Sequence, residues 1–432
     1  MSAPVFASAE HHPVLRQLPS LLRPLTVFAL DLHQNPELSG KEQRTAACLA
    51  DALEAEGYEV TRGVGGHGVV GVLTNGSTRR VMLRTELDAL PVVEQTGLPY
   101  SAAGPLAHAC GHDLHIAAVL GAATLLARTR ASWRGTVLVV GQPAEETLTG
   151  ARMMLEDGLY ARFGRPEVVL AQHSAPLLAG MVAHGRAGKP VLGASVSLNV
   201  TLHGRGGHAG APHLSVNPVL TAAAVTMRLA KIVEHEGVLA GQAAVTVGSV
   251  HAGTQSNVIP DSAELGISVR ALSQTTLDRL VTAIEHLVRE ESDASGSSRP
   301  AGITVLHQSA ATVPDPRTAA EVVLAHRAAF GVQRVVPWPP ALATEDFALY
   351  GDAGLSIHGC PGVPLCYWMV GTVGPRQWAE ASGTTAAERL ASLPPNHSPR
   401  FAPHPPTALP AAVSAMALAA LTQLKSDLPP LR

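Results

Sequence analysis

The sequence predicts an α/β protein with a largely parallel sheet, interrupted by a smaller α+β domain. Helical and strand patterns alternate over about the first 190 residues, which is typical of βαβ units. Residues 135–140 form a nearly continuous apolar run, as expected of a strand buried on both faces. Near residue 193 the pattern changes to alternating apolar and polar positions, which indicates strands with one exposed face.

The first part of the chain contains helical and strand segments in turn. The segments at 68–73 and 80–83 are interpreted as a hairpin or as neighbouring strands. In order, we predict helices at 13–35 and 41–56, strands at 68–73 and 80–83, a helix at 114–129, and strands at 135–140 and 166–170.

The middle part has the order β-α-β-β-α-β, which is that of a ferredoxin-like unit. Its predicted elements are a strand at 194–202, a helix at 217–234, strands at 243–251 and 262–271, a helix at 275–291 and a strand at 302–308. α/β character resumes with a helix at 318–330, and an alanine-rich stretch at 408–424 predicts a buried helix that begins near Pro410. We therefore expect a main α/β domain formed by residues 1–193 and 310–432, with an inserted domain at 194–309.

The composition excludes several classes of protein. With 46% hydrophobic and 15% charged residues and a net charge of −3, the chain is globular and has no basic surface for nucleic acid. Residues 1–10 lack the pattern of a signal peptide, and the 408–424 stretch is too short to span a bilayer comfortably. The four cysteines are too few and too irregularly spaced for a disulfide framework, so we expect a cytoplasmic protein without a membrane partner.

Residues 107–115 contain three histidines, one cysteine and one aspartate. Cys110 and His112 lie two residues apart, and Gly111 between them lets the backbone turn tightly enough for both to face one ion. Thiolate and imidazole are donors that divalent transition metals prefer. The alternative is a buried cysteine beside a hydrogen-bonded structural histidine.

Glu145 and Glu146 directly follow the apolar strand at 135–140. The carboxyl end of a parallel strand is where α/β proteins build their sites, so one glutamate can bind a metal while the other accepts a proton. Alone, the pair is more typical of a solvated loop, but its position beside a strongly apolar strand, in a chain that also contains Cys110 and His112, favours the functional interpretation. His173 after the strand at 166–170 and His397 in a proline-rich loop are further candidate ligands, although single histidines are more often structural.

Seven motifs occur in an order that resembles the metallo-amidohydrolase branch of the aminoacylase/carboxypeptidase peptidase family, which includes hippurate hydrolases, auxin-conjugate amidohydrolases and N-acetyl-diaminopimelate deacetylases. The resemblance covers about residues 15 to 425. It is specific for the family and much less so for the substrate. The motifs are 84–91 (RTELDALP), 108–113 (HACGHD), 142–146 (QPAEE), 204–209 (GRGGHA), 257–261 (NVIPD), 345–347 (EDF) and 397–401 (HSPRF).

The resemblance implies a zinc-peptidase-like catalytic domain with an inserted lid or dimerisation domain, and it implies specific roles for residues. Glu145 would be the general base toward a metal-bound water, and Asp88 would orient a ligand histidine. His208, which comes from the partner subunit in some relatives, would donate to the oxyanion, and Asn257 and Arg270 would bind the polar end of the substrate. One or two divalent ions would be held by Cys110, His112, Glu146, His173 and His397.

One position departs from the family pattern, because Glu86 replaces the first aspartate of Arg-Ala-Asp-x-Asp-Ala-Leu-Pro. The longer side chain leaves the role of that position open. Several residues beside the expected ligands are interpreted as neighbours or supporting residues, with a structural role equally compatible. These are His108, Asp113, His115, His213, Glu345 and Asp346.

We therefore expect a metal-dependent amidohydrolase that acts on N-acyl amino acids. The alternatives are a dipeptidase or carboxypeptidase of the same family, or a non-catalytic relative that binds a small molecule. The mixed sulfur, nitrogen and oxygen donors suit zinc and also tolerate manganese, cobalt or nickel. A redox role for Cys110 is not favoured, since no resolving cysteine is near in sequence. An exposed sheet edge in the inserted domain makes a homodimer plausible.

Overall fold

The computed structural model describes residues 12–76, 79–239 and 241–424, so the expectation about residues 1–10 lies outside the described residues. The chain divides into two compact units, each with its own hydrophobic core. The first unit comprises Met1–Val191, Val313–Pro339 and Asp346–Arg432. The second comprises Leu192–Thr312 and Pro340–Glu345.

The strands and helices are numbered here in chain order. The strands are β1 (Glu59–Val64), β2 (Gly68–Asn75), β3 (Arg80–Glu86), β4 (Gly135–Gln142), β5 (Val168–Leu178), β6 (Val182–His184), β7 (Ala194–His203), β8 (Gly207–His208), β9 (Ala243–Ala252), β10 (Val258–Ile259), β11 (Ser262–Ala271), β12 (Gly302–Ser309), β13 (Val335–Pro337) and β14 (Leu365–Val373). The α-helices are α1 (Leu18–Gln34), α2 (Gln43–Ala55), α3 (His112–Arg128), α4 (Gly150–Glu156), α5 (Leu159–Phe163), α6 (Pro218–Leu229), α7 (Ile232–His235), α8 (Gln274–Ala294), α9 (Pro316–Phe330), α10 (Leu355–His358), α11 (Pro375–Glu380), α12 (Ala386–Ser392) and α13 (Pro405–Gln423).

The described part of the first unit contains an eight-stranded mixed sheet in the order β1-β2-β4-β3-β5-β14-β6-β13. Its centre, β4-β3-β5-β14, is parallel, whereas β1, β2 and β4 pair antiparallel at one side. The α/β fold is thus confirmed, with a parallel centre and a mixed periphery. The carboxyl ends of β3, β4 and β5 lie on the same edge of the sheet, which is where α/β proteins place ligands.

The arrangement of β2 and β3 corrects the sequence-based expectation. The two strands are neither a hairpin nor neighbours, because β4 lies between them. The true hairpin joins β2 to β1, a strand that the sequence analysis missed because its residues are mostly exposed and lack alternation. Proximity in sequence therefore suggested the wrong pair. Strand β3 pairs in parallel with β4, and the crossover helix α3 connects the two strands along the chain.

Two other elements of the first unit differ from expectation. Strand β14, which was not among the predicted strands, is buried along its whole length between β5 and β6. Helix α13 begins at Pro405, so Pro410 lies inside it and does not start it. Among the described residues, α13 is long and apolar enough to cross a membrane by length and composition, but 78% of its apolar window is buried within the protein. It packs against α1, α3 and α9 as a core helix.

The second unit contains a four-stranded antiparallel sheet in the order β12-β7-β11-β9. Numbered by their order in the chain, these strands run 4-1-3-2, and α6 and α8 contact the sheet. The β-α-β-β-α-β order is therefore the one predicted. The alternation along β7 and β11 places Leu198, Val200, Leu265 and Ile267 in the core, because successive strand residues face opposite sides. A separate two-stranded sheet, formed by β8 and β10, also belongs to this unit.

Candidate functional site

The predicted site of the first unit begins at the ends of β3 and β4. Asp88 follows β3 and is fully buried. Its Oδ2 accepts the backbone N–H of Glu146, after β4, at 2.9 Å and the hydroxyl of Ser39 at 2.7 Å. One carboxylate thus ties the two strand ends together and holds the Glu146 backbone in place.

The turn before α3 places Cys110 and His112 side by side. Gly111 between them has φ 86°, in the left-handed region that favours glycine. A Cβ at this position would lie 2.7 Å from Ser174 Oγ, so space as well as backbone conformation requires glycine. His112 is the first residue of α3 and is completely buried.

Two histidines, the buried His112 and the partly buried His173, are each held in one tautomer by a backbone carbonyl. His112 Nδ1 lies 2.8 Å from the carbonyl of Asp88, and His173 Nδ1 lies 2.8 Å from that of Ser174. Because a carbonyl only accepts, each Nδ1 donates its proton, and in a neutral ring the lone pair lies on Nε2. Burial lowers the pKa of His112, but Cys110, Asp88 and Glu86 outweigh this effect and raise it well above its usual value, so metal binding at Nε2 would release a proton. Burial lowers the pKa of His173 well below its usual value, which keeps that ring neutral.

The Nε2 atoms of these rings face sulfur and carboxylate donors. His173 Nε2 lies 3.3 Å from Cys110 Sγ. His112 Nε2 lies 3.9 Å from both Glu145 Oε2 and Glu146 Oε1, and His397 Nε2 lies 3.4 Å from Glu146 Oε2. The structure therefore brings together side chains from four distant segments of the chain.

These donor atoms form overlapping clusters whose members lie within 4.8 Å of one another. Three of the clusters combine predicted ligands with one another or with Glu145: Cys110–His112–His173, Cys110–Glu146–His397 and His112–Glu145–Glu146. Cys110 belongs to the first two of these three.

The donor set fits a divalent metal ion. Among the described residues, His112 Nε2 and Glu146 Oε1 are buried without a hydrogen-bond partner, which is costly for polar atoms unless something else binds them. Burial raises the pKa of the Cys110 thiol and that of the Glu146 carboxyl. A bound cation would favour the ionised forms of both groups, because thiolate and carboxylate are its ligands.

His173 and His397 lie in less expected surroundings. His173 is in the interior of β5 and does not follow the strand's end, because β5 continues to Leu178. His397 has a left-handed backbone, with φ 69°, and its N–H donates to Ala109 O at 2.8 Å. Its side chain remains 55% exposed, so it is the most accessible member of the set.

His115 and His108 are not members of the clusters that contain Cys110. His115 Nε2 accepts the N–H of Ser174 at 2.7 Å, and its Nδ1 lies 3.0 Å from Glu86 Oε2. Both ring nitrogens are therefore engaged, and no lone pair remains for a metal. Among the described residues, His108 is buried, has no hydrogen-bond partner and lies outside the clusters; burial lowers its pKa to about 4.

Glu86 has a defined environment in spite of its departure from the family pattern. It is fully buried, forms an ion pair with Arg84 and contacts His115. Burial opposes its ionisation, but Arg84 and His115 outweigh this effect, so the pKa of Glu86 lies well below its usual value. Arg84 also reaches Asp346, which accepts both Gln142 Nε2 and the N–H of Ala151. The expected supporting residue Asp346 thus belongs to a buried network beside β4.

Two residues that no sequence motif singled out, Ser174 and Asn396, connect the candidate ligands. Ser174 Oγ donates to the carbonyl of Cys110 at 2.6 Å, and Asn396 Nδ2 donates to the same carbonyl at 3.2 Å and to Ser174 O at 3.3 Å. Each directly adjoins a predicted ligand, His173 or His397. That adjacency was the signal in the sequence that pointed to them.

The remaining predicted site residues lie in the second unit. His208 on β8 pairs with Val258 on β10, and the N–H of Ala209 donates to Asn257 O at 3.1 Å, so His208 and Asn257 are close. Arg270 on β11 donates to Leu342 O at 3.0 Å. His213 lies on an exposed 3-10 helix, Pro212–Leu214.

The chain matches the family model of Peptidase family M20/M25/M40 over residues 82–385. It is 39% identical to a hippurate hydrolase of Campylobacter jejuni over 57% of this chain and 63% of that protein, just under two thirds of the relative's length. It is 31% identical to an N-acetyl-L-cysteine deacetylase of Bacillus subtilis, over 85% of each chain.

A solved structure has the same fold. A dinuclear metal binding peptidase of Bacillus subtilis superimposes with a TM-score of 0.72 at 24% identity, covering 93% of this chain and 98% of the other. The family match and the two relatives show that the chain belongs to Peptidase family M20/M25/M40, in its metal-dependent amidohydrolase branch.

Proposed function

We propose that this enzyme hydrolyses the amide bond of N-acyl amino acids, using a divalent metal and Glu145 as general base. The observation that carries the proposal is the fixed tautomer of His112 and His173, whose Nε2 lone pairs face sulfur and carboxylate donors. The proposed metal ligands are Cys110, His112, Glu146, His173 and His397.

When bound, a divalent cation activates a water molecule and polarises the amide carbonyl. Glu145, whose Oε2 lies 3.9 Å from His112 Nε2, would accept the proton of the attacking water and deliver it to the leaving amine. Asp88 would position His112, since its carbonyl accepts the Nδ1 proton and its Oδ1 lies 3.4 Å from the same nitrogen.

His208 has the tautomer that an oxyanion donor needs. Its Nδ1 accepts the N–H of Gly210 at 2.8 Å, so in the neutral ring the proton is on Nε2. An Nε2–H is suited to donate to the developing oxyanion. Asn257 and the Arg270 guanidinium would bind the polar end of the substrate, and an arginine fork suits the free carboxylate of an acyl amino acid.

The metal is proposed to be zinc, manganese, cobalt or nickel, all of which accept mixed sulfur, nitrogen and oxygen donors. Cys110 belongs to two clusters, one with His112 and His173 and one with Glu146 and His397. This shared sulfur supports two ions rather than one. It also agrees with the dinuclear description of the Bacillus subtilis peptidase.

The names of the two relatives support the substrate class, because hippurate and N-acetyl-L-cysteine are both N-acyl amino acids. The test is a panel of acetyl, benzoyl and indole-acetyl amino acids with dipeptides, assayed after chelation and after adding back each metal. We expect turnover of acyl amino acids to vanish on chelation and to return with metal. Full activity after complete chelation contradicts the mechanism, and faster cleavage of dipeptides favours the peptidase alternative.

A Glu145→Gln variant separates catalysis from metal binding. We expect it to retain the metal content of the wild type and to lose about 100- to 10,000-fold in kcat, the usual contribution of a general base. Metal content is measured by elemental analysis of the same sample. Unchanged turnover would remove Glu145 from the mechanism.

A further inference from the structure

The loop between β4 and α4, residues 143–149, carries Glu145 and Glu146 and has an unusual backbone. Ala144, directly before Glu145, has φ 50°, a left-handed conformation that is sterically disfavoured for a residue with a Cβ. The Ala144 carbonyl accepts the N–H groups of Thr149 at 3.2 Å and Gly150 at 3.1 Å, which closes the loop. Some interaction must hold Ala144 in this conformation, because the direction of Glu145 depends on it.

Glu42, which lies immediately before α2, provides that interaction. It is fully buried, and its Oε1 accepts the Ala144 N–H at 2.8 Å and the Gly40 N–H at 2.7 Å. On the other side of Glu145, Asp88 accepts the N–H of Glu146. The residues before and after Glu145 are therefore each held by a hydrogen bond to a buried carboxyl group.

A simple helix-capping role does not account for Glu42. The first turn of α2 is capped by Glu37, whose carboxylate accepts the N–H groups of Arg44 at 3.0 Å and Thr45 at 2.7 Å. The Glu42 carboxylate makes no such bond, and among the described residues its Oε2 has no hydrogen-bond partner. Burying a carboxylate costs free energy unless hydrogen bonds compensate for it. The bond to the Ala144 N–H is the compensating interaction that Glu42 has and Glu37 lacks.

We propose that Glu42 is a positioning residue for the general base: it holds Ala144 in the left-handed conformation and thereby directs Glu145. The inference rests on the proposed function of Glu145. It assigns Glu42 no contact with metal or substrate.

The test compares Glu42→Ala and Glu42→Asp, which is one methylene shorter, with Glu42→Gln, whose amide oxygen can still accept the Ala144 N–H. We expect kcat to fall about 10- to 100-fold in the Ala and Asp variants, as for a small misplacement of a catalytic group, and to stay within about threefold in the Gln variant. KM and metal content should stay near those of the wild type. Glu37→Ala is the matched control and should lower thermal stability without lowering kcat.

Hydrogen exchange gives a readout that does not depend on activity. The Ala144 amide should exchange faster in Glu42→Ala and Glu42→Asp than in the wild type, and at the wild-type rate in Glu37→Ala. Replacing Ala144 by glycine removes the steric cost of the left-handed backbone, so its combination with Glu42→Ala should lose less activity than the product of the two single losses. If Glu42→Ala folds poorly, the Asp and Gln variants still decide the question.

Unchanged kcat and unchanged Ala144 exchange in Glu42→Asp would overturn the proposal, and so would a loss of kcat in Glu37→Ala equal to that in Glu42→Ala. Failure of the proposed function is distinguishable, because it appears as a wild type inactive on every acyl amino acid or as a fully active Glu145→Gln. An active wild type with an inactive Glu145→Gln and a fully active Glu42→Asp rejects only the role of Glu42.

Discussion

Replacing Gly111 by alanine tests whether the turn between Cys110 and His112 needs glycine for two separate reasons. The backbone term is the left-handed conformation at φ 86°, which costs a residue with a Cβ about 1–2 kcal/mol. The second term is collision, because the new Cβ would lie 2.7 Å from Ser174 Oγ and 3.2 Å from Ser174 Cβ. Moving Ser174 breaks its hydrogen bond to Cys110 O, a loss of about 1 kcal/mol.

The sum predicts that Gly111→Ala lowers the free energy of unfolding of the first unit by about 2–3 kcal/mol. Gly97→Ala is the matched control, since Gly97 also has a left-handed φ, 68°, but nothing within 4 Å of its added Cβ. We expect the control to lose only the backbone term. Urea unfolding followed by fluorescence of the buried Trp133 and Trp368 measures both variants.

The same change should weaken metal binding, because Ser174 and the Cys110 carbonyl connect the segments that carry the candidate ligands. Competition with a chelator measures this, and Gly97→Ala should bind metal like the wild type. A combination with Ser174→Ala should be less harmful than the two separate losses added together, since both break the same hydrogen bond. Equal losses in Gly111→Ala and Gly97→Ala, within about 0.5 kcal/mol, would refute the collision with Ser174.

Three further changes have defined outcomes. His115→Phe should destabilise the protein by about 2–3 kcal/mol, because Glu86 and the Ser174 N–H lose a partner, yet leave the metal stoichiometry unchanged; loss of one ion per chain would make His115 a ligand. Burial lowers the pKa of His326 to about 4, so between pH 6.5 and 4 the unfolded chain binds more protons than the folded one and stability falls as the pH falls. Between pH 7 and pH 4, the wild type should therefore lose about 3 kcal/mol more than His326→Gln in urea unfolding, and parallel pH profiles would contradict this. Arg270→Ala should lower kcat/KM roughly 10- to 100-fold for acyl amino acids with a free carboxylate but little for their α-amides; equal losses on both would exclude carboxylate recognition.

Local patterns in the sequence were sufficient for most of the long strands and helices. The alternation along β11 predicted its bounds, 262–271, and the apolar run at 135–140 located β4 before Glu145 and Glu146. Pairing was not predictable in the same way. The β1–β2 hairpin, the insertion of β4 between β2 and β3, and the central position of β14 depend on contacts between distant segments, which no local period records.

The sequence by itself determined the family, the fold class and the residue types that a metal-dependent amidohydrolase requires, because these are written in short motifs and local periodicity. Only the tertiary structure decided which ring nitrogens are available. It showed that carbonyl acceptors leave lone pairs on His112 and His173, whereas Glu86 and the Ser174 N–H occupy both nitrogens of His115. It also revealed Glu42, Ser174 and Asn396, whose hydrogen bonds join segments far apart in the chain. The physical reason is that the tautomer and orientation of a histidine are set by its hydrogen-bond partners, and the tertiary fold determines which atoms those partners are.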